Sequence, residues 1–157
     1  MAGYRYVSSQ IGKMKSKVMK EALKEITPKE LFMKSLDRCV SSDLFVPAFY
    51  ERFMASSDDI RHKFRFTSFD KQNRMLIRSL KLSAVAIEGK PEALAELKER
   101  AETHDHNHLD IKPALYELWL DSLLVTARIY DREWSDSIER AWRKILGHVI
   151  HRMVAKY

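Results

Sequence analysis

Three polar side chains lie on helix faces that are otherwise apolar. They are Tyr50, Gln72 and His104, each in a different predicted helix. Apolar residues recur on the same faces at spacings of three and four: Val46, Phe49 and Phe53 around the tyrosine, Phe69 and Leu76 around the glutamine, and Leu94, Leu97 and Ala101 before the histidine. Because residues three and four apart share a helix face, the phenol, the amide and the imidazole should point inward. Buried polar groups of this kind need a hydrogen-bond partner or a ligand.

The inward histidine has two interpretations. It could be a core histidine satisfied by a carbonyl group. It could instead be an axial ligand of haem iron, presented to a flat apolar cavity while its other ring nitrogen donates to a backbone carbonyl. Three polar intrusions on different helices, with several phenylalanines between the first two, favour a common cavity. In a haem cavity the histidine would bind iron on one side, and the phenol and amide would hydrogen-bond a ligand on the other.

The composition predicts one all-helical domain. The 157 residues include only 4 glycines and 4 prolines, and no sustained alternation of apolar and polar residues marks a strand. No apolar run is long enough to cross a bilayer and the amino terminus lacks the apolar core of a signal peptide, so we expect a soluble, cytoplasmic protein without a membrane span. The single Cys39 cannot form an internal disulfide, and its apolar neighbours predict inert burial.

The positive charge is concentrated near the amino terminus. Residues 1–26 carry six basic side chains, Arg5, Lys13, Lys15, Lys17, Lys20 and Lys24, against Glu21 and Glu25, which leaves +4 of the total +6. A basic amphipathic helix could contact nucleic acid, an acidic partner or a membrane surface. The alternative is a solvated extension that packs loosely against the domain. Because no aromatic residues are interleaved with the lysines, we do not expect a nucleic-acid partner.

Capping and turn residues divide the rest of the chain into helices. A capping box at Thr27–Glu30 opens a helix to about Val40, Ser42 or Asp43 caps the next with Pro47 in its first turn, and Ser57 starts a short helix that ends near Phe64. Thr67–Asp70 resembles a second capping box, and its helix ends near Glu88 before Gly89. Lys90 and Pro91 open the helix to His104, Pro113 begins a helix to about Tyr130, and Ser135 caps the last helix. We therefore predict a basic extension over 1–26 and a helical domain over 27–157.

Six short segments stand in a specific order along this domain. They are AFYERF at 48–53, KF at 63–64, FDKQNRML at 69–76, RAETH at 100–104, IKPALY at 111–116 and RAW at 140–142, with Gly147 five residues after the tryptophan. Each segment is weak alone, but a pocket assembled from distant helices needs all of them in register. From about residue 27 to the end, the chain resembles a bacterial globin of the flavohaemoglobin and single-domain haemoglobin lineage.

The resemblance implies a fold, a cofactor and a set of site residues. The fold would be the globin fold, a three-over-three helical sandwich, and the cofactor haem b. By the resemblance, His104 is the proximal iron ligand, and Tyr116 is a proximal tyrosine that in flavohaemoglobins belongs to a network with the histidine. Tyr50 and Gln72 are the distal tyrosine and glutamine that act on the bound ligand. Phe64 is the phenylalanine that packs on the haem, and Leu76 is the distal apolar neighbour.

Two features depart from the family's pattern. The proximal glutamate is absent, because its position falls on Tyr157, and this places peroxidase-like reactivity in doubt. The interval from His104 to the proximal tyrosine is longer than in flavohaemoglobins, and His106 would restore the shorter interval. The helix face favours His104, since the residues three and seven before His106 are Thr103 and Glu99, which are not apolar.

Other basic and histidine residues offer weaker assignments. Haem propionates could pair with Arg100, Arg128 or Lys71, and the sequence does not choose among them. The histidines His104, His106 and His108 could instead gather zinc or nickel, although alternating histidines without cysteines are more often a solvated loop.

The implied function is the binding of O2, NO and CO. A bound O2 that is hydrogen-bonded by a distal tyrosine and glutamine should leave slowly, which favours its reaction with nitric oxide to give nitrate over simple oxygen delivery. Because no flavin or nicotinamide domain is present in this sequence, turnover would need an external reductase. The alternative is a haem-based gas sensor or an oxygen-storage protein without turnover, and the extension slightly favours a regulatory role. A monomer and a homodimer are both compatible with the sequence.

Overall fold

The helices of this protein lie where the capping signals place them. The computed structural model describes residues 2–22, 24–105 and 107–157. Its helices are α1 (Ala2–Ala22), α2 (Pro28–Val40), α3 (Phe45–Ala55), α4 (Asp58–Lys63), α5 (Phe69–Ala86), α6 (Pro91–His104), α7 (Pro113–Tyr130) and α8 (Asp136–Val154). No strand occurs among these residues, and the all-helical prediction is confirmed.

The starts of α2, α4 and α8 are confirmed down to their capping atoms. The Thr27 side chain accepts the N–H of Glu30 at 3.2 Å, and the Glu30 carboxylate accepts the N–H of Thr27 at 3.1 Å, which completes the capping box. Ser57 and Ser135 cap the other two helices with their hydroxyl groups. Local sequence is sufficient here because a cap satisfies N–H groups only two or three residues away.

Two predicted helix starts were wrong in detail. The residue before α3 is Leu44, which makes no side-chain cap, while Ser42 accepts the Leu44 N–H at 3.3 Å within the preceding turn. Pro47 is therefore the third residue of α3, where its missing N–H costs no helical bond. The capping-box-like start of α5 is also wrong, because Ser68 makes no side-chain cap. That helix ends at Ala86, and Gly89 completes the following turn at φ +75°.

The core is formed where α2 and α6 pack against α8, and α3 packs against α7. Its largest fully buried side chains include Trp142, Phe32 and Phe49. The rings of Phe32 and Trp142 meet edge to face with centroids 4.8 Å apart. Helix α7 packs on both α3 and α8, and α5 and α6 pack on each other and on α8.

A polar cluster that is buried except for its arginine joins α2, α8 and the residue that follows α7. We call it the interior network: Ser35, Arg38, Asp131 and Trp142. The Asp131 carboxylate accepts the Ser35 hydroxyl at 2.5 Å, and accepts Nε and Nη2 of Arg38 at 2.5 and 2.9 Å. The Trp142 indole N–H donates to Ser35 at 2.9 Å, so the donors and acceptors of four side chains satisfy one another.

Helix α1 differs from the others in its surroundings. Every side chain described in it, at positions 7 and 9–21, is exposed, and the principal helix packings involve α2 to α8.

Cys39 on α2 is fully buried, and burial raises the pKa of its thiol to about 12, as expected of an inert core cysteine. No helix in the described ranges has both the length and the apolar character that a bilayer crossing requires.

Candidate functional site

One cavity of about 680 Å³ contains all six of the side chains that the sequence assigned to the site. They come from four helices and a loop: Tyr50 on α3, Phe64 after α4, Gln72 and Leu76 on α5, His104 on α6, and Tyr116 on α7. The structure thus brings together residues that span more than sixty positions in sequence. Their proximity is a finding, whereas their individual roles remain predictions.

His104 is the last residue of α6, and its ring is oriented by the helix backbone. Its Nδ1 donates to the carbonyl of Arg100 at 2.7 Å, one turn earlier. Burial lowers the pKa of His104, although the hydrogen bond to Arg100 opposes this effect. The imidazole is therefore held neutral with Nδ1 protonated, which leaves the Nε2 lone pair available to a metal.

The chain reverses directly after His104. The N–H of Ile111 donates to the carbonyl of His104 at 3.0 Å, and Asp110 adopts a left-handed conformation with φ 50°. Asp105 accepts the Asn107 N–H and pairs with the His108 ring at 2.7 Å. This compact turn lies between His104 and the start of α7, the helix that carries Tyr116.

Two alternatives from the sequence concern this same turn. His106 lies outside the described residues, so its assignment as the iron ligand is not addressed by the structure. His108 is exposed and held by Asp105. Within the described ranges, no group of three or more histidine, cysteine, aspartate or glutamate side chains is arranged to hold a metal ion.

Tyr50 lines the same cavity as His104 and is 3% exposed. Its hydroxyl donates to the backbone carbonyl of Gln72 at 3.4 Å, a long and therefore weak hydrogen bond. Burial raises the pKa of Tyr50 to about 12, although a hydrogen bond with Gln72 and the charge of Arg100 act in the opposite direction. The phenol thus keeps its proton at neutral pH and can donate it to a ligand.

Aromatic rings form the wall around Tyr50. The Tyr50 ring contacts Phe64 and Phe69 edge to face, with centroids 5.6 and 5.4 Å apart. Phe53 packs on Phe64 at 6.0 Å and also lines the cavity. The rings fix the phenol in place and make this wall apolar, which restricts water near its hydroxyl.

The two site residues that α5 contributes, Gln72 and Leu76, lie one helical turn apart. Gln72 is half-buried and lines the cavity beside Tyr50, whereas Leu76 is buried and supplies an apolar surface. On α7, Tyr116 is half-buried, and burial raises its pKa to about 12. Tyr116 lines the same cavity as His104, but no hydrogen bond joins the two side chains among the described contacts.

Tyr157, the residue at which the resemblance to flavohaemoglobins predicts a glutamate, does not line the cavity. Its hydroxyl donates to the Asp110 carboxylate at 2.7 Å, which ties the chain after α8 to the turn that follows His104. Its connection to the histidine is therefore through the backbone of that turn.

Of the three basic side chains that the sequence offered as partners for haem propionates, only one lines the cavity. Arg100 lines the cavity, but its guanidinium already donates to Glu96 at 3.0 Å and to Ser79. Lys71 and Arg128 are exposed and do not line the cavity. The cavity's lining instead includes Lys63, whose ammonium group donates to the carbonyl of Leu109 at 3.2 Å across its mouth.

Sequence reasoning missed several residues of this site. Lys63 and Arg65 carry positive charge at its mouth, where the ring of Phe66 is 89% exposed beneath the Arg65 guanidinium. Val149 and Met153 of α8 also line the cavity. Apolar residues that recur at spacings of three and four give no signal that distinguishes a core position from one that lines a cavity.

The donor set fits a haem. A flat macrocycle needs an apolar cavity of several hundred Å³ with a neutral imidazole on one side. This cavity offers His104 with Nδ1 occupied, and faces it with the phenol of Tyr50 and the side chain of Gln72. Lys63 and Arg65 at the mouth suit the carboxylates of propionates.

Comparisons with known proteins agree with this geometry. The family model described as Globin matches residues 47–153, which is more than half of the chain. A crystal structure of the protein PA3967 from Pseudomonas aeruginosa PAO1, described as structurally highly homologous to a human hemoglobin, is similar to this chain with a TM-score of 0.79 and 32% sequence identity. The similarity covers 83% of this chain and 98% of that protein. No curated protein matches the chain.

Proposed function

This chain belongs to the globin family, and we propose that it uses His104, Tyr50 and Gln72 to bind O2 on haem b and to convert nitric oxide to nitrate. The family supports haem binding and small gas ligands in general. The residue roles and the reaction are our proposal. The observation that carries it is the buried Tyr50 hydroxyl, which has only a long hydrogen bond and faces the same cavity as His104.

The proximal side holds a neutral imidazole in one orientation. The Arg100 carbonyl accepts from Nδ1 of His104 at 2.7 Å, which fixes both the tautomer and the ring plane. When bound there, haem supplies ferrous iron with a position for O2 and the electron needed to combine O2 with nitric oxide. Because a neutral carbonyl rather than a carboxylate accepts from Nδ1, we expect a moderately basic histidine and O2 chemistry without peroxidase-like reactivity.

The distal side stabilises negative charge on a diatomic ligand. The Tyr50 hydroxyl is the donor, because its weak bond to the Gln72 carbonyl can be exchanged for a shorter bond to the ligand. The Gln72 amide would orient the phenol and supply a second donor. Phe64 and Leu76 exclude water, which strengthens these hydrogen bonds.

The finer relationship to flavohaemoglobins rests on the distal pair and on Tyr116. Tyr116 lines the same cavity as His104, where it would restrict the motion of the proximal ring. The missing glutamate separates this chain from flavohaemoglobins in the strength of the proximal ligand. We therefore place it beside the single-domain haemoglobins of that lineage.

Continued turnover requires an electron donor, and we propose that this donor is another protein. The cavity's mouth is basic, with Lys63 and Arg65 beside the exposed Phe66 ring. The chain as a whole also carries a net charge of +6, which favours an acidic electron donor because complementary charge accelerates encounter. We therefore expect a separate reductase with an acidic docking face.

Storage or sensing without turnover is the second candidate. The same distal donors would slow O2 release in a storage or sensor protein. Sustained catalysis is what separates these functions, since a store or a sensor has no use for rapid re-reduction.

The test is steady-state nitric oxide consumption by the haem-loaded protein with NADPH, ferredoxin–NADP reductase and ferredoxin. The rate at which this donor system reduces the ferric protein is measured separately. We expect continued production of nitrate, and a much slower rate in Tyr50→Phe than in the control Tyr130→Phe, whose phenol does not line the cavity. Absence of nitrate production, while ferric protein is still reduced quickly, would exclude the dioxygenase and leave storage or sensing.

A further inference from the structure

Helix α1 presents an uncovered row of apolar side chains. Val7, Ile11, Met14 and Val18 follow one another at spacings of four, three and four, and they are 57%, 49%, 66% and 62% exposed. Residues at this spacing lie on one helix face. Because every described side chain of α1 is exposed, nothing in the described part of the chain covers this row.

The rest of the helix surface is basic. Residues 2–22 carry Arg5, Lys13, Lys15, Lys17 and Lys20 against the single Glu21, a net charge of +4. Helical geometry places Lys13, Lys17 and Lys20 away from the apolar row and Lys15 at its edge. None of these four lysines forms an ion pair with a described residue. The helix thus has both an unburied apolar face and an unneutralised basic face.

A second copy of the chain is a poor partner for this surface. The row also suits a short two-stranded coiled coil, but two such helices would bring lysines together along their flanks. Nucleic acid would neutralise the lysines and leave the apolar row in water. Both faces are satisfied at once only by a partner that is apolar inside and negatively charged outside.

We propose that α1 lies on the surface of an anionic lipid bilayer, with Val7, Ile11, Met14 and Val18 in the acyl–headgroup boundary and its lysines among the lipid phosphates. A helix with a large apolar moment and a lysine-rich polar face binds membranes in this way. Lys15, at the edge of the row, can bury its methylene chain and extend its ammonium group to the headgroups. The haem domain would then remain in water, tethered beside the bilayer.

The burial also explains why this helix would be stable. An isolated helix in water gains little from its own hydrogen bonds, and Gly12 lies in its interior with no neighbour within 4 Å. Insertion of the apolar row supplies the missing contacts. Only four aliphatic side chains insert, so binding should depend on anionic lipid and weaken as salt screens the lysines.

The experiment is co-sedimentation of the full-length, haem-loaded protein with vesicles. One set contains phosphatidylcholine alone and the other an equimolar mixture with phosphatidylglycerol. We expect partitioning to be at least about tenfold stronger with phosphatidylglycerol, and to fall as sodium chloride is added. The double variant Ile11→Gln/Val18→Gln should lose this binding. Ile26→Gln is the matched control, because Ile26 is also exposed but lies outside α1.

Several results would overturn the proposal. They are failure to bind either vesicle, equal binding to both, or unchanged binding of the double variant. Light scattering covers the remaining alternative, since a dimer that dissociates in the double variant would show that a second copy covers the row. The Soret band of each variant reports that the haem domain is intact, so loss of binding cannot be attributed to unfolding.

Discussion

The interior network and the cavity are both built from polar side chains that face inward, yet their hydrogen bonding differs. In the network, the Asp131 carboxylate accepts two bonds from Arg38, one from Ser35 and one from the Glu133 N–H, all at 2.9 Å or less. In the cavity, the described residues give the Tyr50 hydroxyl one hydrogen bond, of 3.4 Å, and they bond the His104 ring through Nδ1 alone.

The difference indicates which polar groups stabilise the fold and which are available to a ligand. Short hydrogen bonds, several of them charge-assisted, occupy the Asp131 carboxylate and the Ser35 hydroxyl, so the network holds α2, α7 and α8 together. A long bond and a free ring nitrogen, by contrast, leave a donor and a lone pair for a ligand. The comparison predicts that substitutions in the network change stability and leave the haem spectrum unchanged, and that cavity substitutions do the reverse.

The largest expected effect is the loss of haem from His104→Ala. The iron loses its axial imidazole, and the Soret band of the purified protein should be lost or strongly altered in the ferric, ferrous and ferrous–CO forms. His108→Ala is the matched control, since this exposed ring is bound to Asp105. His106→Ala tests the other candidate ligand, and loss of haem there, with retention in His104→Ala, would reverse the assignment.

The next effect is on stability. Asp131→Asn removes the charge that accepts from Arg38 and Ser35, so we expect a loss of about 3 kcal/mol in the free energy of unfolding. Urea titration of the haem-loaded protein measures this loss, with the exposed Asp121→Asn as control. The Soret band should not move. An altered haem spectrum in Asp131→Asn would show that the network and the cavity are not separate in function.

A smaller effect is expected from Tyr50→Phe. The variant keeps the ring packing but loses the hydroxyl, and O2 dissociation should accelerate more than about tenfold if the hydrogen bond contributes more than ~1.4 kcal/mol. Stopped-flow displacement of O2 by CO measures the rate, and Tyr130→Phe should be unchanged. Equal rates in both variants would remove Tyr50 from the distal role and leave Gln72 as the donor.

The smallest effect is a pH dependence that belongs to the network alone. Burial raises the pKa of Asp131, but hydrogen bonds from Arg38, Ser35 and the Glu133 N–H outweigh it, so the pKa lies below its ordinary value. The unfolded chain therefore takes up the proton first as the pH falls from about 4, and the contribution of Asp131 to stability is lost as the pH passes through its folded pKa.

Urea midpoints across this acidic range measure the effect. The wild type should lose stability more steeply than Asp131→Asn, which no longer has the titrating group. Parallel curves for the two proteins would show that other carboxylates account for the acid sensitivity.

Much of the fold was predictable because its signals are local. The all-helical class is confirmed, and so are the capping box at Thr27, the caps at Ser57 and Ser135, and the inward stripe that contains Tyr50. These features depend on atoms within one or two helical turns. The division of the chain between residues 26 and 27 stays a prediction, as do the roles of the site residues.

The interior network was not predictable from the sequence. Ser35 and Trp142 lie 107 residues apart, and neither carries a local sign that it will hydrogen-bond the other. The cap of α3 was missed for a related reason, because Ser42 was free to cap either the helix or the turn before it. Lys63 closes the cavity's mouth through a carbonyl 46 residues away, which no periodicity reveals.

The sequence by itself determined where most of the helices begin, because caps act within one turn, and which residues face inward, because a period of 3.6 residues relates each side chain to its own helix axis. It thereby identified Tyr50, Gln72 and His104 as inward polar groups. Only the tertiary structure decided that these groups share one cavity while Ser35 and Asp131 satisfy each other. That decision depends on how distant helices pack, and packing brings together atoms whose separation in the chain carries no local signal.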